Sequence, residues 1–325
     1  MKKEDLKIVF FGTPEFAVAS LDRLVTAGYN VAAAVTMPDK PAGRGHKMYH
    51  SPVKEYAEAH GIPLMQPVRL KDSEFVEQLH GYGANLFIVI AFRMLPEVVW
   101  QMPELGTFNL HASLLPRYRG AAPINWAVIN GDTETGVTTF FLKHEIDTGD
   151  IIDQERVPIH PEDNVGDVHD RLMALGADLT LKTVDAIVDG TIAPVPQERL
   201  LNGEEATPAP KIFKETCRID WSQPAVKVHN LVRGLSPYPA AWSELLSGQE
   251  GVEPVPVKIF ATAISGDAPV QAASGTVVAG RHTLKVVCGD GMLLDILSLQ
   301  PSGKKRISAD EFLRGARLGS EPRFV

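Results

Sequence analysis

Short apolar runs alternate with amphipathic stretches over the first 190 residues of the chain. The runs have the length of strands buried on both faces, and they cover residues 6–11, 31–36 and 86–92. Apolar residues at three- and four-residue spacing predict helices over residues 14–27, 52–60, 73–81, 121–130 and 165–188. This alternation predicts an α/β fold, in which a Rossmann-like open, mostly parallel sheet carries helices on both faces.

Two segments among the first 190 residues connect predicted strands and helices and have candidate roles of their own. Thr13 stands before Pro14, which predicts a threonine N-cap with proline at the first helical position. A glycine turn at this place can hold a phosphate, but residues 10–16 lack the G-x-G-x-x-G spacing, and a tight strand-to-helix turn is the alternative. Residues 37–50 are rich in Pro, Gly and Lys, which predicts a loop rather than a helix or strand.

The pattern changes after residue 190. Residues 191–210 carry many prolines and charges with little periodicity, which predicts a linker between a catalytic domain at 1–190 and a second domain at 211–325. In the second domain short apolar segments such as VKIFATAI and TLKVVCG alternate with turn residues. This pattern favours a small OB-like β-barrel.

Composition and charge narrow the class of protein. The chain has 325 residues, of which 44% are hydrophobic, and only two are cysteines. We therefore expect a globular protein without a disulfide framework. No secretory signal and no membrane helix are predicted, so a cytoplasmic location is expected. Residues 1–206 have a formal net charge of −11 and residues 207–325 one of +3, which hints at a polyanionic partner for the second part.

The richest chemistry lies in the segment FNLHASLLPRYRGAAP. Asn109 and His111 are two residues apart on a predicted strand, so their side chains project from the same face. In open α/β sheets, ligands bind outside the carboxyl ends of strands, where this pair lies. An amide donor beside a histidine suits the stabilisation of an oxyanion, whereas a structural histidine is the alternative.

A second candidate is the carboxylate of Asp147. It lies in the segment IDTGDI, where Thr148 and Gly149 predict a turn between two apolar strands. A carboxylate on such a turn can orient a histidine or accept a proton. An acidic hairpin turn without function is the alternative.

Together these segments resemble the signature of the folate-dependent formyltransferases. Asn109, His111 and Asp147 match the catalytic Asn, His and Asp of that family. The similarity extends to FFGTPEFA, to PDKPAGRGHKMYHSPVK and to a C-terminal part containing IDW, as in the methionyl-tRNA formyltransferases. The resemblance implies transfer of a formyl group from the co-substrate 10-formyl-tetrahydrofolate to the amino group of methionine on initiator tRNA, a step of translation initiation.

The resemblance also assigns roles to the site residues. Asn109 is expected to donate to the oxyanion, His111 to stabilise it or to move a proton, and Asp147 to orient His111. The main chain around residues 89–95, with Phe92, is expected to hold the pterin. The folate site is further expected to be lined by Ser113, Leu114, Leu115 and Pro116.

One departure from the family pattern lies beside the expected pterin site. After LFIVIA, relatives often carry a tyrosine and a glycine, whereas this chain has Phe92, Arg93 and Met94. Arg93 is therefore expected either to face the glutamate tail of folate or to point to solvent.

The resemblance also implies a tRNA-binding surface. Arg44 matches the arginine of an inserted basic loop that reads the acceptor end, and Lys47 lies in the same loop. Lys211 and Lys214 provide cations in the second domain, where an OB-like barrel can follow a nucleic-acid backbone. A solvated loop and a solvated surface are the alternatives. No metal is expected, and the protein is expected to be a monomer.

Two other functions compete with this interpretation. A sugar-nucleotide formyltransferase would share Asn109, His111, Asp147 and even a C-terminal barrel, but the basic loop around Arg44 argues against it. A non-catalytic nucleotide-binding module is the second, and the missing glycine fingerprint argues against that.

Overall fold

The structure is a computed structural model, and it describes residues 1–42, 47–201 and 205–325. Contacts within the chain divide the described residues into two compact units. The first unit comprises Met1–Gly120, Thr135–Val157 and Asp170–Pro208. The second comprises Ala121–Glu134, Pro158–His169 and Ala209–Val325. The predicted domain boundaries remain a prediction.

The helices and strands follow in chain order. Residues 1–120 form β1 (Lys7–Gly12), α1 (Glu15–Thr26), β2 (Asn30–Val35), β3 (Lys40–Ala42), β4 (Lys47–Tyr49), α2 (Pro52–Ala59), β5 (Leu64–Met65), α3 (Ser73–Gly81), β6 (Leu86–Ile90), α4 (Glu97–Trp100), β7 (Thr107–His111) and β8 (Arg119–Gly120). Residues 121–210 form α5 (Pro123–Asn130), β9 (Glu134–Phe141), β10 (Ile151–Pro158), α6 (Val165–Asp189), α7 (Glu198–Leu201) and β11 (Pro208–Ala209). Residues 211–325 form α8 (Ala225–Leu235), β12 (Ala241–Leu246), β13 (Val255–Ile264), β14 (Val277–Ala279), β15 (Leu284–Val287), β16 (Leu293–Pro301), β17 (Ile307–Ser308), α9 (Ala309–Gly315) and β18 (Arg323–Phe324).

The first unit is built on a seven-stranded sheet in the order β10-β9-β7-β6-β1-β2-β5. The pairs from β7 through β6, β1 and β2 to β5 are parallel, and β9 joins β7 antiparallel. The predicted mostly parallel α/β sheet is confirmed. The chain leaves β1 toward β2 on one side and later returns to β6 on the other, so the connection reverses direction at β1. Clefts at the carboxyl ends of strands at such a reversal are where open α/β sheets bind ligands.

Several predicted boundaries needed correction. Strand β6 ends at Ile90, not at residue 92, because Ala91 adopts a left-handed backbone with φ of 48° and turns the chain away from the sheet. Helix α1 begins at Glu15, and its N-cap is Pro14 without a side-chain hydrogen bond. The predicted Thr13 cap is therefore wrong, and the hydroxyl of Thr13 is buried without a partner among the described residues.

The predicted loop at residues 37–50 is a second correction. Strands β3 and β4 pair antiparallel, with Lys40 opposite Tyr49 and Pro41 opposite Met48. Proline is compatible with this pairing because a two-stranded ribbon has only edge strands, where a missing N–H can face away from the partner. The prediction of a loop rested on composition, which carries no information on whether two short segments pair. Arg44 lies outside the described residues.

The second unit contains the predicted OB-like barrel, which is confirmed. Its antiparallel strands follow the order β14-β15-β16-β13-β12-β18, and a bridge between Thr276 and Arg323 joins the two ends. The sheet therefore nearly closes on itself, which leaves few unpaired edge groups. Alternating residues of β12 point inward, and the barrel core includes Ile259, Val286 and Leu299.

Candidate active site

Strand β7 places Asn109 and His111 at the carboxyl edge of the sheet in the first unit. Val89 of β6 pairs with Asn109, and Ile90 pairs with Leu110. Because successive side chains alternate between faces, Asn109 and His111 project from the same face, as predicted. His111 is the last residue of the strand and is only 7% exposed. An imidazole so little exposed is oriented by its neighbours and not by solvent.

Two neighbours fix the imidazole of His111. Its Nε2 lies 2.8 Å from the carbonyl oxygen of Tyr118, and its Nδ1 lies 3.8 Å from Oδ2 of Asp147. A carbonyl oxygen can only accept, so Nε2 carries a proton and donates it. The other ring nitrogen, Nδ1, faces the carboxylate of Asp147, which lies beyond hydrogen-bond distance.

The turn that carries Asp147 is held by main-chain geometry. Asp147 has φ of 55°, and its Oδ2 accepts a hydrogen bond of 2.9 Å from the N–H of Gly120. Gly149 packs so closely that an added Cβ would lie 1.5 Å from the carbonyl oxygen of Phe141. Only glycine fits this position, which explains the Asp-Thr-Gly sequence by packing as well as by turn preference.

Gln197 supports the same turn, although no pattern in the sequence indicates this role. This residue is fully buried, and its Nε2 donates to the carbonyl oxygens of Asp147 and Gly149 at 2.9 and 2.8 Å. Its Oε1 accepts from Nε and Nη2 of Arg119 at 3.1 and 2.7 Å. The nitrogen and the oxygen of its side-chain amide therefore both have hydrogen-bond partners. Gln197 lies in the proline-rich segment treated as a linker, and only the fold brings it to the site.

The loop Ser-Leu-Leu-Pro follows β7 and is fastened by Thr138 of β9. The hydroxyl of Thr138 donates to the carbonyl oxygen of Ser113 at 2.6 Å and accepts from the N–H of Leu115 at 3.1 Å. Gln154 donates to the carbonyl oxygen of Leu115 at 2.8 Å. Ser113 uses its own hydroxyl on the carbonyl of Arg117. The side chains of Ser113, Leu114, Leu115 and Pro116 are buried, and their predicted contact with folate remains a prediction.

The segment expected to hold the pterin begins where β6 ends. Phe92 is partly buried, and its ring packs 5.7 Å from the ring of Phe11. Arg93 does not simply point to solvent, and its alternative position facing the glutamate tail of folate remains a prediction. Its guanidinium donates to the carbonyl oxygens of Pro67 and Val68, the latter at 2.8 Å. Burial lowers the pKa of Arg93. This residue therefore ties its own loop to the segment that follows β5.

The predicted tRNA-binding residues lie in different parts of the chain. Lys47 begins β4 in the first unit, whereas Lys211 and Lys214 belong to the second. The ammonium of Lys211 lies 5.6 Å from the ring of Phe213, and that of Lys214 lies 5.4 Å from the ring of Trp242. Both distances suit cation–π contacts, which hold the cations at the surface.

Trp242 belongs to a line of residues that crosses neighbouring strands of the barrel. Arg218 pairs with Trp242, Trp242 with Lys258, and Lys258 with Gln300. We call these four residues the barrel row. Arg218 lies 5.3 Å over the ring of Trp242, and Lys258 is exposed. An aromatic face flanked by cations is the combination with which proteins bind the bases and phosphates of nucleic acids.

Neither a metal site nor a membrane span emerges from the described residues. Among residues 1–42, 47–201 and 205–325, no group of three or more His, Cys, Asp or Glu side chains could hold a metal ion. Within the same ranges no helix is long and apolar enough to cross a membrane.

Comparison with known families gives two matches along the chain. The family described as formyl transferase matches residues 6–184, and the formyl transferase C-terminal domain matches residues 211–317. Together these two segments cover most of the chain.

Curated relatives are similar over nearly the full length. A methionyl-tRNA formyltransferase of Bacteroides fragilis is 61% identical over 98% of this chain and 97% of its own. The enzyme of the same name from Bacteroides thetaiotaomicron is 62% identical over 98% of both chains. That from Porphyromonas gingivalis is 49% identical over 99% of both.

Solved structures share the fold at low identity. WlaRD, a sugar 3N-formyltransferase solved in the presence of dTDP and 5-N-formyl-THF, has a TM-score of 0.64 and 18% identity, over 92% of this chain and 99% of its own. HypX from Aquifex aeolicus in complex with tetrahydrofolic acid has a TM-score of 0.63 and 17% identity, over 97% of this chain and 48% of its own. At these identities the likeness shows the fold alone.

Proposed function

Since the chain belongs to the formyl transferase family, we propose that it transfers a formyl group from 10-formyl-tetrahydrofolate to the amino group of methionine on initiator tRNA. The names of the relatives support this acceptor over a sugar nucleotide. Their high identity over almost the whole chain also favours an enzyme over a non-catalytic nucleotide-binding module. The proposed reaction initiates translation and belongs in the cytoplasm, where aminoacylated tRNA is used.

The observation that carries the proposed chemistry is the arrangement of Asn109, His111 and Asp147. In the reaction, the free amine attacks the formyl carbon, the bond from that carbon to the folate nitrogen breaks, and the amine loses the proton that the folate nitrogen gains. Asn109 donates its amide N–H to the carbonyl oxygen as negative charge develops there. Nδ1 of His111 accepts the proton of the amine and returns it to the leaving nitrogen.

Asp147 has a supporting electrostatic role in this scheme. Its carboxylate lies 3.8 Å from Nδ1 of His111, so it stabilises the imidazolium while the proton resides there. The hydrogen bond from Gly120 and the support from Gln197 hold the carboxylate in place before any substrate binds. Such preorganisation avoids reorganisation at the moment of reaction.

For the donor we propose a site at the carboxyl edge of the first unit. The loop that follows β6 supplies Phe92 and main-chain groups of residues 89–95, and the buried loop of Ser113, Leu114, Leu115 and Pro116 forms the neighbouring wall. For the acceptor we propose Arg44 and Lys47 in the first unit, and Lys211, Lys214 and the barrel row in the second. The protein is proposed to act as a monomer.

The decisive experiment offers two acceptors to the same enzyme. Purified protein and 10-formyl-tetrahydrofolate are incubated with methionyl-initiator tRNA and, separately, with an amino-sugar nucleotide. We expect formyl-methionyl-tRNA as the only formylated product, with tetrahydrofolate released. Formylation of the sugar with the tRNA untouched would keep the catalytic assignment and refute the assignment of Arg44, Lys47, Lys211 and Lys214.

A further inference from the structure

Two loops at the carboxyl edge of the first unit are fastened to one short segment. This segment, Gln66 to Val68, follows β5. From one side, Nε2 of Gln66 donates to Oδ1 of Asp39 and to the carbonyl oxygen of Met37, both at 2.8 Å. From the other side, the guanidinium of Arg93 donates to the carbonyl oxygens of Pro67 and Val68. We call residues 66–68 the brace.

The first loop is the hairpin of β3 and β4, and Asp39 closes its base. Oδ2 of Asp39 lies 2.6 Å from Nζ of Lys54 and 3.0 Å from Nδ1 of His50. Asp39 precedes β3 and His50 follows β4, so both ends of the hairpin converge on one carboxylate. Two strands of three residues are too short to be stable alone. The position of this hairpin is therefore set by Asp39 and by what Asp39 contacts.

The second loop follows β6 and carries Phe92. In the sheet, β1 and β2 lie between β6 and β5, yet the long side chain of Arg93 joins the loop of β6 to the brace. The planar guanidinium presents two N–H groups to two successive carbonyl oxygens, a contact that a lysine ammonium cannot reproduce in full. Burial disfavours the charged guanidinium and lowers its pKa. The two carbonyl acceptors offset part of this desolvation, whereas Nε is buried without a partner among the described residues.

We propose that the brace positions the tRNA-reading hairpin and the donor-binding loop together, with Asp39 and Arg93 as the positioning residues at its two ends. This inference rests on the proposed function, which assigns the hairpin to tRNA and residues 89–95 to the folate. Its consequence is that release of the brace at one end alters the binding of both substrates. Substitution of a residue that positions one loop alone would alter the binding of one substrate only.

The test measures both substrates in four variants, Arg93→Met, Arg93→Lys, Asp39→Asn and Arg69→Met. Donor-site affinity is measured by calorimetry with 5-formyl-tetrahydrofolate and no tRNA present. The KM for methionyl-initiator tRNA is measured at saturating 10-formyl-tetrahydrofolate, and thermal midpoints are recorded. Arg69→Met is the matched control, because Arg69 is exposed beside the brace and the variant removes the same charge.

We expect Arg93→Met to weaken donor binding about tenfold and to raise the tRNA KM at least about threefold, within the coupling that packed networks carry. Asp39→Asn should raise the KM for tRNA more than it weakens donor binding. Arg93→Lys should recover part of both losses, since the ammonium can still donate to one of the two carbonyl oxygens. Arg69→Met should change neither quantity by more than about twofold, as is usual for exposed sites.

Three outcomes would overturn this proposal. In the first, each variant changes the binding of one substrate only. In the second, Arg69→Met changes donor affinity and tRNA KM as much as Arg93→Met does, and in the third, Arg93→Lys recovers none of the binding lost in Arg93→Met. If Arg93→Met does not fold, Arg93→Lys and Asp39→Asn give the same comparison. The donor affinity of Asp39→Asn involves no tRNA, so it tests the brace even if the wild-type protein formylates no tRNA. That last result would refute the proposed function instead.

Discussion

The catalytic edge of the first unit and the barrel row of the second unit use opposite physical means. At the edge, His111 and Gln197 are almost fully buried, and hydrogen bonds hold Nε2 of His111 and the amide of Gln197 in place. In the barrel row, Lys258 is exposed and Arg218 rests over an aromatic ring. Burial holds a few dipoles in place for one transition state, whereas exposed cations can meet many phosphates without prior loss of their hydration. The comparison predicts that substitutions of His111 and Gln197 act on kcat and substitutions in the barrel row act on KM.

The largest effect is expected from His111→Ala. Loss of the proton-carrying group should lower kcat about 10²- to 10⁴-fold, the usual contribution of general acid–base catalysis. Binding of 5-formyl-tetrahydrofolate, measured by calorimetry, should change little, because His111 acts on the transition state. Equal losses in turnover and donor affinity would show that His111 is a binding or structural residue. The contrast between a catalytic edge and a binding row would then not hold.

A smaller loss of turnover is expected from Gln197→Leu. The carbonyl oxygens of Asp147 and Gly149 would lose their donor, and the turn would shift. Misplacement of a catalytic group by an ångström costs up to about 10²-fold, so kcat should fall about tenfold to hundredfold. Gln101→Leu is the control, because Gln101 is exposed in the same unit. An unchanged kcat in Gln197→Leu would mean that Asp147 is held without this amide.

Lys258→Ala should act on tRNA affinity and leave kcat unchanged. If Lys258 contacts one phosphate, the slope of log affinity against log salt should fall by about 0.9. Lys227→Ala is the matched control, since Lys227 is an exposed lysine on α8 of the same unit. Titration of methionyl-initiator tRNA at several salt concentrations provides the measurement. An identical change of slope in both variants would mean that the barrel row has no special place in binding.

The smallest effect concerns His229, a partly buried histidine in the second unit that belongs to neither region. Burial lowers its pKa, and the positive charge of Arg233 lowers it further. The unfolded chain therefore binds a proton more readily below about pH 6.5, and the stability that His229 contributes above that pH is lost as the pH falls.

The pH dependence provides the corresponding test. The urea midpoint of the wild-type protein should fall between pH 7.5 and pH 5, and His229→Gln should show a smaller fall. Formylation at pH 7.5 should be unchanged in this variant, in contrast to His111→Ala. A fall of equal size in both proteins would assign the acid sensitivity to other groups.

The sequence by itself determined the fold class, and it supplied the candidate catalytic residues, whose roles remain proposals. Hydrophobic periodicity is a local property, so it identified strands β1, β2 and β6 and helices α1, α2, α3, α5 and α6 to within a few residues. The spacing of Asn109 and His111 on one strand fixes their common face, and the resemblance to a family supplied the chemistry. The Asp-Thr-Gly turn, whose geometry is also local, made Asp147 a candidate, and only the family resemblance favoured it over an acidic turn without function.

Only the tertiary structure decided how the site is supported. Gln197 and Asp147 are 50 residues apart, and Arg93 meets carbonyl oxygens 25 and 26 residues away. Hydrogen bonds between such distant residues leave no periodic trace in a sequence, because they depend on which strands become neighbours. The hairpin of β3 and β4 escaped prediction for the same reason, since its strands are too short for a pattern and Asp39 fixes them through Gln66 and Lys54. The chemistry could be read from local spacing, whereas its preorganisation required the fold.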